Sequence, residues 1–283
     1  MTLYLNFRSH PVGGSVVDPR VVEADVTNSA PTFRVLEWPE VQARVGGRNV
    51  LFGAHGFNVP LEHGARSLGQ LEPRLELTAA DVFLGVLWPG DYWIPVINYP
   101  FEGAVSMDCG RRLAACVTQR FASAQSVSFI SHSLGARLVL EAVKSVPRPV
   151  RLVCLLAGAI NRDCLVAEYQ AAAANASAIT LLASRSDLVL KVAFRIGDPI
   201  SDLLHDDHRA FEAALGSSGP AMPAGPPIAS PWQIPDAEGY GHGDYLPPGD
   251  SVQSAQAVPS PKWIQAAAYV TRALRSETQV WPV

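Results

Sequence analysis

The chain is 283 residues long, 48% hydrophobic and only 17% charged, against about 25% charged in an average soluble domain, which excludes a disordered or highly solvated chain. Its net charge of -4, with no run of Lys or Arg, excludes the electrostatic footprint of a nucleic-acid binder and a polybasic membrane patch. The longest apolar run, Leu152 to Ile160, is far shorter than the roughly 20 residues of a spanning helix, and MTLYLNFRSHP at the N-terminus lacks a signal-peptide pattern.

Residues 1–48 carry Val16–Val17, Val21–Val22 and Phe33–Leu36 between turn residues and read as two or three antiparallel edge strands. From Asn49 onward short apolar runs alternate with longer helical patterns. The runs Val50–Ala54, Val82–Leu87, Val127–Ile130, Val150–Leu156 and Ile179–Ala183 are continuously apolar, as expected of parallel strands covered on both faces. Leu113–Ala124 and Leu134–Val146 place apolar residues at three- and four-residue spacing and read as helices. This alternation predicts one α/β domain over 1–283, an open, mostly parallel, doubly wound sheet with helices on both faces and right-handed crossovers. Residues 88–108, aromatic and punctuated by proline, read as a loop or lid over the strand ends. Ten of the 23 prolines fall between Pro220 and Pro261, so residues 216–261 read as a long loop, closed by a helix from about Lys262 to Arg275. Cys109, Cys116, Cys154 and Cys164 lie in apolar segments without a CxxC pair and read as reduced, buried thiols, which points to the cytoplasm.

The strongest local signal is Ser131-His132-Ser133-Leu134-Gly135, between the strand SVSFI and a helix. A sharp strand-to-helix turn of this kind pushes one hydroxyl, here that of Ser133, out of the sheet, and its neighbours two positions away must be small. The usual glycine at the first flank is replaced by Ser131, still small but carrying a Cβ. A serine hydroxyl needs a base to take its proton, and the base needs a carboxylate to fix its tautomer. Of the histidines downstream of Ser133, His205 and His208 sit in LLHDDHRAFEAAL, whose spacing is that of a solvated helix face, whereas His242 sits in the glycine-flanked loop YGHGDY. For the acid, Asp187 ends the strand AITLLASRSD and is favoured over Asp163, which follows the preceding strand. Backbone donors for a developing oxyanion are expected from the Leu134 amide and, in the LFGAHGFN loop, from the Phe57 amide. His55 and His132 are then structural, with the Asn58 side chain bracing the loop. Trp88, Tyr92 and Trp93 are the candidates for an aromatic rim over the substrate pocket.

From about Asn49 to Asp250 these residues resemble the alpha/beta-hydrolase superfamily and, more narrowly, a bacterial group of hydrolases of the DUF900 type. The features that carry the resemblance are HGFN at 55–58, Trp88-Pro89, the elbow SHSLGARLVLEAV, the segment ASRSDLVLKVAFRIGD and the terminal GHGDYL. HSLGA alone is shared widely among lipases and esterases and points to the superfamily only. By resemblance Ser133, Asp187 and His242 take the roles of nucleophile, acid and base. The group often has a Pro-Asp pair where this chain has Gly158-Ala159, which leaves Asp163 as an alternative acid.

The expected activity is hydrolysis of a small-molecule carboxylic ester through an acyl-enzyme, with no cofactor, no metal and no nucleic-acid partner. Two alternatives use the same residues. In one the triad acts on a thioester, an amide or a peptide bond. In the other the fold is a non-catalytic binding scaffold, which predicts a Ser133 hydroxyl far from His242.

Overall fold

The computed structural model describes residues 1–27, 31–91, 95–191, 213–222, 225–229, 231–252, 260–277 and 281, with the backbone alone for 95–102. Three strands open the chain: β1 (Thr2–Arg8), β2 (Val16–Asp25) and β3 (Thr32–Leu36). After α1 (Trp38–Val45) come β4 (Asn49–Ala54), α2 (Leu61–Leu71), β5 (Asp81–Leu87) and α3 (Pro95–Arg120). Then follow β6 (Ser126–His132), α4 (Gly135–Ser145), β7 (Leu152–Leu156), α5 (Gln170–Asn175) and β8 (Ile179–Ser184). A short α6 (Leu215–Ser218), the two-residue strand β9 (Gln233–Ile234) and α7 (Trp263–Leu274) complete the described elements.

The strands form one sheet in the order β3-β2-β1-β5-β4-β6-β7-β8-β9. From β1 across to β9 all neighbours run parallel, while β2 pairs antiparallel with both β1 and β3. The expected antiparallel edge is therefore β2 and β3. β1 lies one step further in, its seven residues all buried between β2 and β5.

The continuous hydrophobicity of the central strands has the cause that their sequence implied: each strand feeds two cores. Val50, Phe52, Phe129, Val153 and Leu155 pack on one face with α1, α3 and α4, and Leu51, Ile130, Cys154 and Leu156 pack on the other with α2 and α7. Phe52 alone stacks on Phe129 at 5.3 Å and meets Phe121 edge-on at 5.1 Å, and burying each such ring is worth roughly 1.5–3 kcal/mol. The four cysteines are buried as free thiols, and burial pushes Cys116 up to about 12.

The expectation of a loop through 88–108 is corrected, because α3 begins at Pro95. Proline in a first helical turn removes an N–H that has no partner there in any case, so Pro95 opens the helix instead of breaking it. The parallel strands end on one side of the sheet. There the turns after β4, β6 and β8 meet, which is where the site is assembled.

Candidate active site

At the end of β6 the chain turns into α4 through Ser133, whose φ of 54° lies in the left-handed region that residues with a Cβ avoid. The strain is held by bonds on both sides, since the Ser133 amide donates to the Leu156 carbonyl at 3.0 Å while its own carbonyl accepts from Ala136 at 3.0 Å and Ala159 at 3.1 Å. Two close approaches explain the small residues nearby. A Cβ on Gly135 would stand 2.6 Å from the His55 carbonyl oxygen, and one on Gly56 would stand 2.9 Å from the Ser133 Cβ. At the other flank, where glycine is usual, Ser131 is fully buried on β6 and its hydroxyl has no hydrogen-bond partner among the described residues.

The hydroxyl pushed out at Ser133 meets the imidazole expected for it. His242 Nε2 is 2.8 Å from Ser133 Oγ, and His242 Nδ1 is 2.7 Å from Asp187 Oδ2. The Asp187 side chain is entirely buried, and its other oxygen accepts the Leu190 amide at 3.0 Å. An imidazole whose Nδ1–H is fixed by a carboxylate presents the lone pair of Nε2 to the serine, which is the tautomer a general base needs. The structure brings together Asp187 and not Asp163, whose carbonyl instead caps the turn at Val166 with a 2.9 Å bond.

His242 is carried by a one-turn 3-10 helix, His242–Asp244, fastened from three directions. Within the turn, Asp244 Oδ2 accepts the Gly241 amide at 2.8 Å and the Lys262 ammonium at 3.2 Å. From β8, Ser184 Oγ donates to the Tyr240 carbonyl at 2.8 Å. From β6, His132 Nε2 donates to the carbonyl of His242 itself at 2.8 Å. These contacts account for the spacing of GHGDY: the glycine yields its amide, the aspartate caps, and Tyr245 is buried.

On the opposite side of Ser133 lies the β4–α2 turn. Leu134 is the N-cap of α4, so its amide precedes the helical hydrogen-bond ladder, and Phe57 follows the Gly56 contact with Ser133 by one residue. The turn is held from behind by Trp88, whose ring NH donates to the His55 carbonyl at 2.9 Å and whose amide donates to His55 Nε2 at 3.3 Å. Asn58 braces the turn through its main chain, donating to the Gly90 carbonyl at 2.6 Å with φ at 57°.

A family model described as an alpha/beta hydrolase of unknown function (DUF900) matches residues 40–208, more than half of the chain, including Ser133 and Asp187. The chain belongs to that family. His242 lies beyond the matched segment, and in this DUF900 protein it is the bonds just described that set it between Ser133 and Asp187. Among solved structures, acetyl xylan esterase 1 from Thermoanaerobacterium sp. JW/SL YS485 is similar over 85% of this chain and 82% of its own, at 14% identity and a TM-score of 0.38. No curated protein matches the chain.

Two elements of the DUF900 site depart from the sequence reading. Trp88 is fully buried and stacked on His55 with ring centres 5.7 Å apart, so it supports the β4–α2 turn from beneath and is not part of a pocket rim. Tyr92, Trp93, His205 and His208 lie outside the described residues. The second departure is a residue pair that the sequence did not single out. Arg8, at the end of β1, forms a buried ion pair with Asp91 and donates to the carbonyls of Trp88 at 2.8 Å, Pro11 at 3.1 Å and Val59 at 3.2 Å. It thereby ties the segment after β5 to the turn that carries Phe57. Asp91→Ala, which leaves the guanidinium buried without this carboxylate, is expected to lower unfolding free energy by about 3 kcal/mol in urea titrations. An unchanged midpoint would show that the pair is dispensable. Among the described residues no group of three His, Cys, Asp or Glu side chains stands close enough to hold a metal ion, and no helix is long and apolar enough to cross a membrane.

Proposed function

We propose that the protein is a serine hydrolase that cleaves a carboxylic ester through an acyl-enzyme on Ser133. The observation that carries the proposal is the continuous line of contacts from Ser133 Oγ through His242 to buried Asp187, at 2.8 and 2.7 Å. It favours catalysis over a binding scaffold, for which no such line is needed.

In the proposed reaction His242 Nε2 takes the Ser133 proton as Oγ attacks the ester carbonyl. The tetrahedral oxyanion is met by the amides of Phe57 and Leu134, backbone donors whose contribution grows as charge develops. The imidazolium, stabilised by Asp187, then gives its proton to the leaving alcohol, and the C–O bond breaks to leave the acyl group on Ser133. Water enters, His242 removes its proton, and the same steps in reverse order release the acid and restore the hydroxyl.

A fluorophosphonate probe followed by intact-protein mass measurement tests the serine. Wild-type protein should gain one probe mass and Ser133→Ala none, and equal labelling of the two would sink the proposal. Rates on matched oxygen-ester, thioester and amide substrates test the bond, with the oxygen ester expected to be fastest.

A further inference from the structure

His132 is a half-buried titratable side chain that the proposed reaction does not use, yet it touches both halves of the site. Its Nε2 is 2.8 Å from the His242 carbonyl oxygen, and because a carbonyl only accepts, this nitrogen carries the proton. Its ring centre lies 4.9 Å from that of His242 and 6.1 Å from that of Tyr245. On the other side, a Cβ on Gly56 would stand 3.0 Å from His132 Nδ1, so the imidazole fills the space between the turn that carries Phe57 and the turn that carries His242. It projects from the end of β6, the residue before the nucleophile, and so shares its backbone with Ser133.

We infer that His132 is a positioning residue: its Nε2–H holds the backbone of His242 while Asp187 holds the ring, so that the catalytic imidazole is fixed at two points relative to Ser133. The inference rests on the Ser133 reading for its catalytic consequence, and on geometry alone for the clamp. A base fixed only through Nδ1 still pivots about the Asp187 contact. Misplacement by about 1 Å in such a site is enough to lower the rate on the order of a hundredfold. Burial depresses His132 to about 3, so the clamp stays neutral and in one tautomer at the pH where the base works.

The test compares His132→Gln, His132→Asn and His132→Ala. A glutamine amide nitrogen is as many bonds from the backbone as Nε2, whereas an asparagine amide nitrogen matches Nδ1. Gln should therefore restore the donor and Asn should not. Hydrogen–deuterium exchange over residues 240–246 reads the clamp whether or not Ser133 reacts, and exchange should rise about tenfold in the Asn and Ala variants and stay near wild type with Gln. The fluorophosphonate labelling rate and kcat should fall by about ten- to a hundredfold in Asn and Ala, with KM unchanged and most of the rate recovered in Gln.

Wild-type exchange in all three variants, or equal losses in Gln and Ala, would overturn the inference, as would raised exchange with an undiminished labelling rate. If wild-type protein does not label at all, the Ser133 reading fails, while the exchange series still decides the clamp. Should the Ala variant not fold, the Gln and Asn pair carries the comparison.

Discussion

Asp187→Asn is expected to lower kcat by about 10⁴-fold, and Ser133→Ala or His242→Ala by about 10⁶-fold, with the double variant falling no further than either single one. The larger losses follow from the proposed division of labour. Without Oγ there is no atom to acylate, and without the imidazole there is nothing to take the proton, so either change removes the whole covalent route. What remains is the contribution of the oxyanion donors and of substrate binding. The smaller loss at Asp187 has a different cause. An asparagine amide that donates toward Nδ1 turns the imidazole into the opposite tautomer, with the proton on Nε2, where it can no longer accept from Ser133. The Leu190 amide, which binds the other Asp187 oxygen at 3.0 Å, keeps the side chain in place, so the change alters the tautomer more than the fold. KM should hold in all of these variants, measured on a short-chain aryl ester. Additive losses in the double variant would mean that Ser133 and His242 act separately, contrary to the proposal.

How much of this site the sequence disclosed depends on whether each part is local. Ser133 was legible because the elbow is a single stretch of strand, turn and helix, with the need for small flanks written within five residues. His242 was legible from its glycines and its place before the last helix, and Asp187 from its place at a strand end. What set Asp187 above Asp163 was the expected length of one turn, and the fold adds the direct contact at 2.7 Å.

The parts that stayed hidden are those made across the sheet. Arg8 and Asp91 are 83 residues apart, and β1 and β5 meet only because the sheet order sets them side by side. Likewise the role of Trp88 followed from its neighbours. An aromatic beside prolines reads as a pocket rim until the fold turns its ring inward onto His55. Helix α2 escaped for the opposite reason: Gly64 and Gly69 weaken its helical pattern, and it is fixed by burying Ala65, Leu68 and Leu71 on the sheet rather than by propensity.

A second large effect is expected on stability, which should fall by about 4 kcal/mol between about pH 7 and pH 5. Burial holds both His55 and His132 to about 3, against an ordinary value of 6.5, because a charged ring would lose its solvation there, and this outweighs the backbone carbonyls of Gly56 and His242, which pull the other way. In the unfolded chain both rings take up protons as the pH drops below 6.5, while in the folded protein they do not. The unfolded state therefore binds more protons in this window, and stability rises with pH across it. The contribution is complete above the unfolded value and is lost on acidification, by about 1.4 kcal/mol per pH unit for each ring once well below 6.5. Glu23, which Arg44 and Arg34 hold below its ordinary value of 4.5, works in the same direction in a lower window, whereas burial raises Glu72 and Asp91 above their ordinary 4.5 and 3.8 and sets them in the opposite direction, so the difference between wild type and a histidine variant, not the wild-type slope alone, reads the histidine. Urea unfolding at several pH values gives the slope directly. His132→Gln removes one of the two rings and should roughly halve it, whatever the variant does to the absolute stability. An unchanged slope would mean that His132 takes up its proton inside the folded protein, and a clamp carrying charge would then press directly against the protonated form of His242.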